Sequence, residues 1–403
     1  MRSIFTLATL MVATLLAGPS MAAPAPDDWK TVLSEARGQT VYWNAWGGDV
    51  RTNDYIDWVN RQVQAKYGVD VVHVKVDDTG VAVSRVLAEQ TAGNRRDGSV
   101  DLIWLNGENF AAMREHDLLF GPFARHLPNF SLTYPEHNPE VVTDFTLPTD
   151  GYESPWGKAQ ITFYYDSARI ASPPRSIEAI LDWARHHPGR FTYPRIPDFT
   201  GSTFLKQALL SLTANPEPLY APVEESDFES VTAPLWDYLE ALHPHLWRDG
   251  RQFPANGPAM RRLMADGELD LAFTFNPSEP AAAVDDFELP PMTRSYVLDG
   301  GTLGNVHFVA IPANSPHKAG AMVVANFLLS PRAQAHKQDI TVWGDRTVLD
   351  VTRLDDPARK AFAATSDNPA LPPRGALQTT LPEPHPSWMT ALQEEWRKRY
   401  IRE

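Results

Sequence analysis

Apolar and polar positions along this chain alternate between two periods, and the order in which the periods occur suggests an architecture. Residues 39–46 (QTVYWNAW) carry β-branched and aromatic side chains up to a Gly47-Gly48 break, which reads as a strand. Ile56, Val59, Val63 and Tyr67 then fall at helical spacing across residues 52–67, closed by Gly68. Residues 69–76 read as a second strand and 80–92 as an amphipathic helix stopped by Gly93. Residues 100–105 (VDLIWL) are almost all apolar, as in strands covered on both faces, and a helix begins near Glu108. This β-α-β-α-β-α order predicts an α/β fold with a parallel sheet between helices. The middle of the chain reads as a second unit of the same kind, with strands over 159–165, 191–196 and 269–275 and helices over 176–187, 202–212, 231–242 and 258–265. A strand over 306–311, helices over 318–329 and 331–337, and a proline-punctuated tail ending in a helix over 386–399 complete the pattern.

The first residues do not fit this pattern. Arg2 is followed by an apolar run over 4–17 and by small residues up to Ala22, the layout of a secretory signal peptide cleaved after Ala22 or Ala23. The run is shorter than the roughly 20 residues that a membrane span requires. The product is therefore expected to be exported, to the periplasm in a bacterial source. The 403 residues include 36 Lys+Arg against 50 Asp+Glu, a net charge of −14 that argues against nucleic acid as a partner. The chain has no cysteine, which excludes thiolate catalysis, disulfides, Cys-ligated zinc and iron–sulfur clusters. It also lacks His-Glu-x-x-His, Gly-x-Ser-x-Gly, P-loop and calcium-loop spacings, so no catalytic centre, metal or cofactor is expected. With no long amphipathic repeat for assembly, a monomer is expected.

Candidate chemistry gathers just beyond the strands, where open α/β sheets bind ligands. Those positions hold Asn44, Trp46 and Gly47, then Thr79, then Asn106, Glu108 and Asn109. In the middle unit they hold Thr200, Gly201 and Ser202 after Asp198-Phe199, and Asn276 before Pro277-Ser278. Helix caps and βα turns favour the same residue types, so each loop taken alone has a structural explanation. Several such loops joined to Trp or Phe point together to a polar cleft with aromatic walls.

The order of motifs resembles the extracellular solute-binding proteins that serve bacterial ABC importers. The likeness is carried by Pro155-Trp156-Gly157 leading into a strand that ends Tyr164-Tyr165-Asp166, and by the stretch 325–334 (ANFLLSPRAQ). Residues 43–49 (WNAWGGD), 103–110 (IWLNGENF) and 155–160 (PWGKAQ) look like the YnjB-type subgroup, near the thiamine-, iron- and polyamine-binding receptors. The resemblance implies the two-lobed periplasmic-binding-protein fold (type II) with the ligand cleft between the lobes. One lobe would combine residues 27–160 and 300–350, the other 161–299, with 351–403 a helical segment packing across them. It also implies a small-molecule solute and an importer permease in the inner membrane as partners. Carried over from the thiamine receptors, Asn44 and Trp46, then Trp156, Lys158 and Gln160 on one face of a crossing strand, then Thr200–Ser202 and Trp343 would touch the ligand.

Two ligand chemistries compete on these residues. Trp46, Trp156, Phe199 and Trp343 suit a heteroaromatic or organic cation of thiamine type. Lys158 and the helix starts near Asn106 and Thr200 suit an anionic or zwitterionic group, and the expectation leans that way unless Glu108 or Glu153 neutralises Lys158. Two further readings share these features: an exported carbohydrate-active hydrolase with Glu108 and Asp198 as its acid pair, and a sensory receptor of the same fold.

Overall fold

The computed structural model describes residues 24–362, 367–373 and 375–401; the proposed export segment, residues 1–22 with its cleavage point, lies outside them. After helix α1 (Trp29–Ala36), strand β1 (Thr40–Trp46) carries Val41, Trp43 and Ala45 into the core. Helix α2 (Val50–Tyr67) starts on the carboxylate of Asp49, which accepts from the Arg51 and Thr52 N–H groups. It ends at Gly68, whose φ of +69° is the left-handed conformation that closes many helices. Strand β2 (Asp70–Val76), helix α3 (Thr79–Thr91), strand β3 (Leu102–Leu105) and helix α4 (Glu108–Glu115) follow. A short hairpin of β4 (Thr143–Asp144) and β5 (Leu147–Pro148) leads into β6 (Glu153–Gln160).

The chain then crosses into a second layer as β7 (Thr162–Asp166). Helices α5 (Ile177–His186) and α6 (Phe199–Leu212) come next, then β8 (Leu271–Thr274) and β9 (Thr293–Tyr296). It returns as β10 (Thr302–Ala310), and the tail adds β11 (Thr380–Leu381). The first sheet runs β11-β10-β3-β1-β2, with β6 on the other edge of β10; β1 is parallel to β2 and β3, while β10 is antiparallel to β3 and β6. Trp43, Val59, Phe308 and Phe327 belong to one core built on this sheet, and Val86, Ile103, Phe110 and Met113 form a separate core with α3 and α4.

The second lobe departs from the expected repeat. Its sheet is β8-β7-β9 and both pairings are antiparallel. Residues 191–196 form no strand; the backbone there bonds to the segments at Trp247 and Pro254 instead. The core of this lobe includes Phe163, Phe204, Leu239 and Phe273, and the terminal helix Pro386–Tyr400 adds Trp388, Leu392 and Trp396 to it. Among the described residues no helix is long and apolar enough to cross a membrane.

Candidate functional site

The carboxyl ends of β1 and β3 form the first wall. Asn44, 1% exposed, has no partner for either side-chain amide atom among the described residues. Trp46 ends the strand half-buried, and its ring folds back over Gly48, leaving no room for a side chain there. The Gly47 N–H donates to the Val76 carbonyl at 3.1 Å and the Gly47 carbonyl accepts from Asn53, so this turn is fixed through its backbone. Thr79 donates to the Trp104 carbonyl at 3.1 Å, and the Asn106 amide donates to the Val306 carbonyl at 2.5 Å. Both side chains therefore position the wall, tying α3 to β3 and β3 to the returning strand.

Glu108 opens α4 after Gly107, whose φ of +55° a larger residue would resist. Asn109 donates to Glu108 Oε1 at 3.2 Å, while Oε2 is shut off from solvent without a partner. Burial pushes the Glu108 carboxyl up to about 7, although Lys206 pulls against it. Asp144 accepts from the Gly107 N–H at 2.6 Å, and burial, reinforced by Glu108 and Glu383, raises it well above the usual carboxylate range. Glu153 is 1% exposed with neither oxygen partnered, and is raised by burial and then by Asp144.

The second lobe contributes the start of α6. Asp198 caps it, accepting from Thr200 N–H at 3.0 Å and Gly201 N–H at 3.2 Å. Burial nevertheless raises Asp198 to about 6, and Asp78 of the first lobe adds repulsion. Thr200 is half-buried, whereas Gly201 and Ser202 lie buried behind the cap, Ser202 accepting from Gln393 at 3.0 Å. Lys206, 1% exposed, places Nζ 2.6 Å from Glu383 Oε2 and 4.3 Å from the centre of the Phe145 ring, joining α6 to the tail and to the first lobe. Asn276 donates to the Trp343 carbonyl at 3.3 Å and accepts from Ser278 N–H, so it bridges the lobes. Arg51 pairs with Asp286 at 2.5 Å and donates to the Ile340 and Ala282 carbonyls. Arg261 lies 2.7 Å from Glu279, 3.2 Å from Glu288 and 3.6 Å from Asp49, so the lobes meet along this edge too.

Trp156, Lys158 and Gln160 of the crossing strand, and Trp343, are all engaged by contacts within the protein. The β6–β10 pairing shifts between His307 and Phe308, leaving Trp156 with no residue opposite, and its ring turns inward. It is 0% exposed, 4.8 Å from Trp104, 5.3 Å from Trp43 and 5.4 Å from Trp343, which is itself 6% exposed. Gly157 faces Asp345 and His307, which form one buried polar cluster with Lys337. Lys158 pairs at 2.7 Å with Glu140, neither of the acids considered from sequence, and Gln160 is buried between Thr302 and the Thr379 carbonyl.

Sequence reasoning passed over Lys206, Asp144, Glu383 and Trp104. Lys206 carried a signal, a lone cation in the apolar run FTGSTFLKQALL; the two acids sit in irregular proline-flanked segments without periodicity. Trp104 reads as one more apolar residue of a covered strand, yet it stands half-buried at the strand end, 5.2 Å from His307. Among the described residues no group of three or more His, Asp or Glu is placed to hold a metal ion.

Residues 58–369 match the model of a family described as bacterial extracellular solute-binding protein. The chain is 44% identical over 373 residues to protein YnjB of Escherichia coli (strain K12), covering 93% of this chain and 94% of that one. Among solved structures it is similar to the periplasmic binding protein AfuA from Actinobacillus pleuropneumoniae, at TM-score 0.61 and 14% identity, covering 90% of this chain and 98% of that one. It is also similar to the spermidine/putrescine substrate-binding protein PotD from Streptococcus pneumoniae, at TM-score 0.58 and 13% identity, covering 89% and 99%. Those neighbours share the two-lobed periplasmic-binding fold. With a family match over most of its length, on a fold of two lobes joined by crossing strands, the chain belongs to the bacterial extracellular solute-binding family.

Proposed function

We propose that this protein is a periplasmic receptor that captures a small organic cation between its lobes and passes it, chemically unchanged, to the permease of an ABC importer. The carrying observation is the charge of the cleft. Glu108 of one lobe and Asp198 of the other are both held above the ordinary carboxylate range, at about 7 and about 6, and Asp78 repels each of them. A cation seated among them relieves that repulsion and gives the unpartnered Glu108 Oε2 and Asn44 amide something to bind. Against the earlier leaning toward an anion stands Lys158, whose charge is matched by Glu140. The neighbours' names span spermidine/putrescine and fructose-6-phosphate, so the shared fold does not choose the ligand and the side chains must. Native mass spectrometry of protein taken directly from the periplasm should find a bound solute bearing an amine or quaternary nitrogen. Titration of the recovered compound should return it intact. A solute that carries only negative charge, or one converted on incubation, would overturn the reading.

A further inference from the structure

Strand alternation sends Lys158 and Gln160 of β6, and Gly304 and Val306 of β10, to the face opposite the one on which Gly157 meets Asp345 and His307. On that side lies an open cavity of about 750 Å³, walled by Lys158, Glu140, Arg346 and Gly304 and flanked by the tail at Gln378 and Thr380. The size suits a small molecule. Among the described residues, two cations line this cavity against one carboxylate. Lys158 shares its charge with the half-exposed Glu140. Arg346 is half-buried, and among the described residues its guanidinium makes one hydrogen bond, of 3.5 Å, to Gln160 Oε1. No carboxylate lies within ion-pair distance of it among the described residues; neighbouring Asp345 is engaged by Lys337 and His307. The main chain at Arg346 is pinned, its carbonyl accepting from Lys158 N–H at 3.1 Å and Lys337 Nζ at 2.9 Å. Burial disfavours the guanidinium charge, and Asp345 and Glu140 work against that from a distance.

We propose that this cavity is a second binding site, separate from the interlobe cleft, for the oxyanion group of a small carboxylate or phosphate, held by the Arg346 fork with Lys158 beside it. A planar guanidinium presents paired N–H donors that match the two oxygens of such a group. The walls come from both crossing strands and from the tail, so an occupant there joins the hinge to the C-terminal segment. The inference does not depend on the cationic reading of the cleft.

The mature protein should be titrated calorimetrically with inorganic phosphate and, separately, with succinate, each against sodium chloride at matched ionic strength. Saturable binding of one or both at a single site is expected; which of the two binds tells phosphate from carboxylate chemistry. Arg346→Gln should weaken it by about tenfold or more through loss of the charged fork. Glu140→Gln, which frees Lys158 without touching Arg346, should tighten it several-fold, and this variant serves if Arg346→Gln does not fold. Glu108→Gln should leave anion binding as in the parent, which separates this site from the cleft. Binding of neither anion above the chloride control overturns the proposal. So does a folded Arg346→Gln with parental affinity, or a Glu140→Gln no tighter than the parent.

Discussion

Glu108 concentrates the consequences of burial in one side chain. Its carboxyl, ordinarily near 4.5, is pushed up to about 7 by burial. The folded state therefore binds a proton more tightly than the unfolded chain, and stability gained by protonation is lost as pH rises from the ordinary value through about 7. Raised Asp144 and Glu153 act in the same direction. Thermal melting of the solute-free protein should fall between about pH 5 and pH 8, and Glu108→Gln should flatten that fall and raise the melting temperature at the alkaline end. A slope unchanged in the variant would remove Glu108 from the account. Solute binding runs the other way: a cation favours the ionised carboxyl, so affinity should drop on acidification below about 7, as calorimetry across pH would report.

At the scale of elements, the β6–β10 pairing decides which side chains of the crossing strand enter the core. One shift of register between His307 and Phe308 sends Trp156 into an aromatic cluster with Trp43, Trp104 and Trp343. Trp156→Ala should then cost about 3–5 kcal/mol of stability by opening a cavity, read by chemical denaturation. Its solute affinity at a temperature where it stays folded should remain close to parental; a loss of affinity without loss of stability would return Trp156 to the cleft. Lys206 shows the opposite case. Gly201 to Leu209 of α6 are all buried, so a helix that reads as plain core carries a cation to the lobe interface.

At the scale of the whole molecule, the lobes are held together by charge at their rim. Arg51 and Arg261 reach across to Asp286 and Asp49, with side-chain exposures of 21%/50% and 17%/17%. A single partly exposed pair such as Arg51–Asp286 contributes only about 0–1 kcal/mol, so the meeting of the lobes depends on the group of contacts. The Arg51→Ala/Arg261→Ala double variant should show a larger radius of gyration than the parent by small-angle scattering without solute, and should contract when solute is added. Equal radii in both proteins without solute would show that these pairs do not govern closure.

The alternation of apolar periods was enough to place the α/β class, most helices and the three parallel strands, because those elements are set by local burial patterns and caps such as Asp49, Asp78 and Asp198. The loops that open α2, α3 and α6 could be read for the same reason, since helix capping calls on small polar residues. Partners distant in sequence were decided only by the tertiary structure. Glu383 meets Lys206 from 177 positions away, and a strand shift opposite His307 overrides the alternation that would have turned Trp156 outward. The charge of the cleft belongs to that second class: Glu108, Asp144, Glu153 and Asp198, scattered along the chain, acquire raised proton affinities only when folding removes their water and brings acids together.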